Sequence, residues 1–146
     1  MKEQGRVPSR AVKLHESIYK NNPGINAIML AHPVHAMAFA VTDEEFDART
    51  IPESYILLRD IIKLPAEMLY EDVDAVAKEF KPSRPAIIFN NDCVVVTGDT
   101  LLQAFDRLEV LELTAHSIID CKRVGDIVHI SPDEIKDLKK AFKLSD

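Results

Sequence analysis

The sequence predicts an α/β domain, and two kinds of pattern predict it. Short apolar, β-branched runs at 25–30, 86–89 and 94–97 are bounded by turn-forming Asn, Asp and Gly, as strands are. Elsewhere apolar residues recur at helical spacing, most clearly over 101–121. A chain of 146 residues, 47% of them hydrophobic by count, suits one compact domain with a real core. No linker or internal repeat interrupts it, so a single domain over 1–146 is expected.

Each element has its own signal. Ser9 reads as the N-cap of a first helix, with Val12, Leu14, Ile18 and Tyr19 as apolar positions and Asn21-Asn22-Pro23-Gly24 as the stop. The run at 25–30 is short enough for a buried strand. Small and apolar residues from Ala36 to Val41 suggest a short helix, and an acidic loop follows at 43–47. The stretch 50–64 reads as one or two strands. Residues 71–80 form a helix with Val73, Val76, Ala77 and Phe80 on one face. The runs at 86–89 and 94–97 are two strands separated by Asn90-Asn91-Asp92-Cys93. Thr100 and Gln103 form a capping box that opens a long helix to about Cys121, with Gly125 beyond its end. Ser131-Pro132-Asp133-Glu134 opens the last helix, whose stripe of Ile135, Leu138 and Phe142 is expected to be buried.

Composition narrows the function classes. The net charge is −6, from 24 acidic and 18 basic residues, with no Lys/Arg block, which argues against nucleic-acid binding. No apolar run approaches the ~20 residues that span a bilayer. The first ten residues lack the apolar core of a signal peptide, and Cys93 and Cys121 stand apart from any CxxC pair. A reducing, cytoplasmic location is the expectation.

Two segments carry candidate chemistry. Of the five histidines, His15, His116 and His129 read as structural or surface residues. His32-Pro33-Val34-His35 follows directly on a strand, where sheet proteins often build sites, and two histidines three apart could share a metal. Hydrogen-bonded turn histidines are the alternative. Asn90-Asn91-Asp92-Cys93 places polar residues inside a core segment, which costs stability unless each is partnered. It is either a turn or part of a site.

At these residues the chain resembles the class II aldolase/adducin family. The segment 27–39 resembles the strand and loop that deliver two zinc-binding histidines in an H-x-H-[PSA] pattern. The segment 87–98 resembles the family's N-H-G-[VL] turn and strand, which supplies the third histidine. Ala104 to Glu112 matches the E-A-x-x-x-x-E-x-L-E helix, and Pro8-Ser9 with His15 matches the P-S-[ST]-E-x-x-x-H helix start. The resemblance implies a three-layer αβα sandwich around a mostly antiparallel sheet. It also implies a zinc site, a phosphate contact at Ser9, with Arg10 beside it, and a homotetramer or a second aldolase-like domain as partner.

The departures fall on the chemistry. In the family pattern the first zinc histidine aligns with Leu30, the second with His32, the third with Asp92, and the following glycine with Cys93. The acid/base glutamate aligns with Ala11, which can move no proton. The resemblance therefore leaves His32 and Asp92 as metal ligands, for a divalent ion (zinc by resemblance) held weakly or not at all, with His35 or Cys93 as possible additions. No catalytic residue is carried over, and Glu53 is the nearest other acid. The family's Gly-Asn-[IVL]-[ST] phosphate loop also has no counterpart before Gly5. The leading expectation is a family domain without aldolase chemistry, acting in assembly or ligand binding. The alternative is a divergent metal-dependent lyase that cleaves a small sugar phosphate.

Overall fold

The computed structural model describes residues 7–144. In chain order the elements are α1 (Val12–Asn21), β1 (Ala27–Ala31), α2 (Ala36–Ala40), α3 (Pro52–Leu58), β2 (Ile62–Leu64), α4 (Met68–Glu71), α5 (Val73–Glu79), β3 (Ala86–Phe89), β4 (Val94–Gly98), α6 (Leu101–Val124) and α7 (Pro132–Ala141). The four strands form one sheet in the order β1-β4-β3-β2. β4 pairs antiparallel with both β1 and β3, and β2 pairs parallel with β3, so the sheet is mixed but mostly antiparallel.

Strand periodicity divides the core in two, as successive side chains must point to opposite faces. Ala86, Ile88, Val94 and Val96 pack with Phe39, Leu58, Leu111, Ala115 and Ile118 on the face covered by α2, α3 and α6. Ile87, Phe89, Cys93 and Val95 pack with Leu14, Ile18, Leu69, Val76 and Phe80 under α1, α4 and α5. β3 and β4 are buried along their whole length, which is why they read as uninterrupted apolar runs. Each fully buried Leu, Ile or Phe among them contributes about 1.5–3 kcal/mol relative to exposure. This is the expected three-layer α/β arrangement.

Several local expectations need correction. The stretch 50–64 is a helix followed by a short strand. Pro52 starts α3, Glu53 sits in its first turn, and Tyr55 and Leu58 recur at helical spacing on its buried side. The helix expected over 71–80 is α5, which begins at Val73 because Asp72 caps it by accepting from the Ala75 N–H at 3.4 Å, while Glu71 closes the separate short α4. Ser9 lies outside α1: the N-cap position belongs to Ala11, and the Ser9 hydroxyl accepts from the Ala11 N–H at 3.3 Å in the preceding turn. α7 has the expected Ser131–Glu134 capping box but buries no residue, because it lies at the margin beside α3. Ile135 and Leu138 are half-buried and Phe142 is exposed.

One contact sets where α6 begins. A side chain at Gly98 would meet the backbone of α6, its Cβ lying 2.6 Å from the Ala104 nitrogen and 2.8 Å from the Thr100 carbonyl oxygen. The glycine lets the end of β4 press against the first turn of the helix. Thr100 caps that turn by accepting from the Gln103 N–H at 3.1 Å, while the Gln103 side chain accepts from Asp99. α6 then runs back along the sheet.

Candidate functional site

The antiparallel register brings the two suspect segments to one sheet edge. The β1–β4 ladder ends at the pair Ala31 and Val94. His32 is the next residue after β1, and Cys93 is the last before β4. β3 ends at the same edge, so the whole turn 90–93 lies beside the loop that carries His32. The α1 helix finishes at the opposite edge, by Asn22 and the start of β1, so its N-terminal end with Ser9, Arg10 and Ala11 lies at this one.

The turn is tightly specified. Asn91 takes a positive φ of 57°, a conformation Asn tolerates better than most residues. Its N–H donates to the Ala40 carbonyl at 2.9 Å, and the Asn90 N–H donates to Leu64 at 2.8 Å. Asn90 Oδ1 is buried with no partner. Cys93 is fully buried, and burial, together with the charge of Asp92 and a hydrogen bond to it, pushes its thiol up to about 12. It is protonated at neutral pH and so is a poor nucleophile as it stands.

The loop after β1 is fastened by a residue far away in sequence. Glu112, on α6, accepts from the backbone N–H of His35 at 2.9 Å and of Ala36 at 2.9 Å, and lies 2.7 Å from His35 Nδ1. Burial pushes the Glu112 carboxyl up, but these hydrogen bonds outweigh it and hold the group below the usual glutamate range. The His35 ring stacks on that of His116, one helical turn after Glu112, and His116 Nε2 lies 3.1 Å from Asp120. His116 therefore belongs to a cluster, contrary to the isolated role expected of it.

The remaining positions can be placed in turn. Leu30 packs against the core cluster under α1, alongside Ile28. Ala11 is buried at the start of α1. His32 and Ser9 are exposed, and Asp92 is half-buried. His15, one turn after Ala11, has an unpartnered buried Nε2, and burial lowers its pKa. Arg10 lies over the Tyr70 ring at 4.9 Å. Glu53 is exposed on α3, among the helices of the other face of the sheet.

These residues do not fit a zinc ion. A zinc site needs at least three protein ligands converging on one point. Leu30 offers no donor and is engaged in the core, and among the described residues no three of His, Cys, Asp and Glu converge to hold an ion. What the edge offers is a rigid backbone platform with an exposed histidine, a carboxylate and a helix start bearing Ser9 and Arg10. Sequence reasoning missed Glu112 and His116. Glu112 lay within the matched helix motif, but nothing in local spacing pairs it with His35 across 77 positions.

Comparison with known proteins agrees with this architecture. The 3-oxo-tetronate 4-phosphate decarboxylase of Pectobacterium atrosepticum is 32% identical over 146 aligned residues, covering 92% of this chain and 63% of that protein. The L-fuculose phosphate aldolase of Methanococcus maripaludis is 29% identical over 110 residues, covering 72% of this chain and 57% of that protein. The chain thus spans less than two thirds of the length of these relatives. Among solved structures, an L-fuculose 1-phosphate aldolase superposes with a TM-score of 0.81 at 24% identity, over 97% of this chain and 67% of that one, which shows a shared fold. The family described as Class II Aldolase and Adducin N-terminal domain matches residues 1–119, and the chain belongs to that family.

Proposed function

We propose that this chain is a class II aldolase/adducin domain that does not perform zinc-dependent aldol chemistry and acts in assembly or ligand binding. The observation that carries the reading is Leu30. It stands where the resemblance puts the first zinc histidine, and its side chain packs into the core cluster under α1. Ala11, where the resemblance puts the acid/base, is buried and has no proton to give. The ligand class that suits the relatives' names is a small phosphorylated sugar or sugar acid. Ser9 and Arg10 at the exposed helix start would meet its phosphate, and His32 and Asp92 would face its polar end.

Assembly is the other half of the proposal. Leu101, Leu102, Phe105 and Leu113 are exposed along α6. Apolar surface of this kind on a helix is what contacts between subunits use. A homo-oligomer, a tetramer by family resemblance, or a second aldolase-like domain would cover it.

The second reading, a divergent lyase, draws on His32 and Asp92 sharing one sheet edge and on the enzymes among the relatives. One experiment separates the two. Purified protein is analysed for bound zinc, manganese and iron, then assayed with L-fuculose 1-phosphate with and without added metal. No stoichiometric metal and no cleavage are expected. Metal-dependent cleavage that disappears in His32→Ala would overturn the proposal in favour of the lyase.

A further inference from the structure

The opposite sheet edge holds a cleft that the family chemistry leaves unused. Its volume is about 340 Å³, and it forms where the turn between α1 and β1, the loop 81–85, and the junction of β4 with α6 meet. Lys81, Asp99 and Arg107 are its charged side chains, Asn21, Asn22 and Gln103 are among its polar ones, and Pro82 and Pro85 supply apolar wall.

Arg107 is the informative group. It is half-buried, on the second turn of α6. Its Nη1 donates to the Thr97 carbonyl at 2.7 Å, and its Nε is buried without a partner. Among the described residues no carboxylate lies within ion-pair distance of it. Burying a cation against neutral groups is unfavourable unless an anion completes the site. Burial depresses the Arg107 pKa, Asp99 partly restores it, and the nearby charge of Arg59 depresses it further. Asp99 outweighs Arg59, so it is desolvation, with no carboxylate of the described residues in direct contact, that leaves the guanidinium undercompensated.

Lys81 adds a second cation. Its ammonium is 3.8 Å from Asp60, but that carboxylate is already held by Arg84 at 2.5 Å. Lys81 is exposed and can turn toward the cleft at little expense. A planar guanidinium lining the cleft beside an exposed ammonium suits a phosphate or carboxylate group. The volume falls in the range of small-molecule sites, ~300–1,000 Å³.

We propose that this cleft binds a small organic oxyanion, a phosphate ester or a carboxylate, held by Arg107 and Lys81 with its body against Pro82 and Pro85. The site is independent of the one at His32, which lies at the other end of the strands. Nitrogen–proton correlation spectra of the full chain, titrated at constant ionic strength with inorganic phosphate and separately with malonate, test it.

Saturable shifts are expected at the amides of Gly24, Lys81 and Gly98 and at Arg107 Nε. The tighter probe identifies the preferred oxyanion. Lys81→Met should weaken binding about tenfold, as expected for losing one charge-assisted contact, and Arg107→Met should abolish it. Shifts that never saturate, that centre on Ser9 and Arg10, or that persist unchanged in Lys81→Met would overturn the proposal. Lys81 is exposed, so its variant decides the matter even if Arg107→Met does not fold.

Discussion

The imidazoles of His35 and His116 stack with their centroids 3.9 Å apart and their planes within 10° of parallel. Each ring has its own carboxylate, Glu112 for His35 and Asp120 for His116. The pair joins the loop after β1 to the middle of α6. Glu112 strengthens the joint by accepting two backbone N–H groups that α2 cannot satisfy internally.

Glu112→Gln should therefore destabilise the protein by about 1–3 kcal/mol at neutral pH, the cost of leaving such donors poorly matched. The Glu112 carboxyl is held below the usual glutamate range in the folded chain. Its contribution is then present above the unfolded pKa and is lost as pH falls through the folded one. Denaturant unfolding of the two proteins from pH 7 down to pH 3 should show their stabilities converging in acid. A difference that stays constant with pH would show that the carboxylate's charge is not what anchors the loop.

The two thiols should differ sharply. Cys121 is exposed near the end of α6, whereas Cys93 is buried with its thiol pushed up to about 12. A disulfide reagent at pH 8 should titrate Cys121 at once and reach Cys93 only on unfolding. Rapid modification of both in native buffer would mean that the turn 90–93 opens readily.

Gly98→Ala tests the close approach of β4 and α6. The atoms that its Cβ would meet at 2.6 and 2.8 Å are backbone and cannot rotate away. Overpacking of this kind costs about 1–3 kcal/mol, read as a lower urea midpoint. An unchanged midpoint would show that the start of α6 shifts freely.

Restoring donors should restore affinity. In the Leu30→His, Asp92→His double variant, His32 is flanked by the histidines that the family pattern calls for. Zinc binding is expected to tighten by more than about tenfold, measured by competition with a chromophoric chelator. No gain would mean that the sheet edge does not bring positions 30, 32 and 92 together.

Local patterns disclosed most of the scaffold. The strands at 86–89 and 94–97 were legible because strands buried on both faces are uninterrupted apolar runs, and β4 runs one residue further, to Gly98. The start of α6 was legible from Thr100 and Gln103. The stretch 50–64 misled, because Tyr55-Ile56-Leu57-Leu58 has strand-like composition while the helix start at Pro52 and Glu53 decides the outcome. The helix over 71–80 was legible from its apolar stripe, and only its start turned on one residue, Asp72, whose capping fixes α5 at Val73. At the sheet edge, His32 and the turn 90–93 were recognisable as unusual. The partnership of His35 with Glu112 and His116 was not, since it arises only when α6 folds back along the sheet.

Glu112 grips peptide groups of the loop as well as a side chain, and that has a consequence for how such a domain can change. A backbone held by the N–H groups of His35 and Ala36 keeps its path whatever side chain the exposed position 32 carries. A substitution at that position changes the side chain on offer while sparing the fold its shape. The loop after β1 behaves as a socket, and the chemistry is whatever side chains are plugged into it.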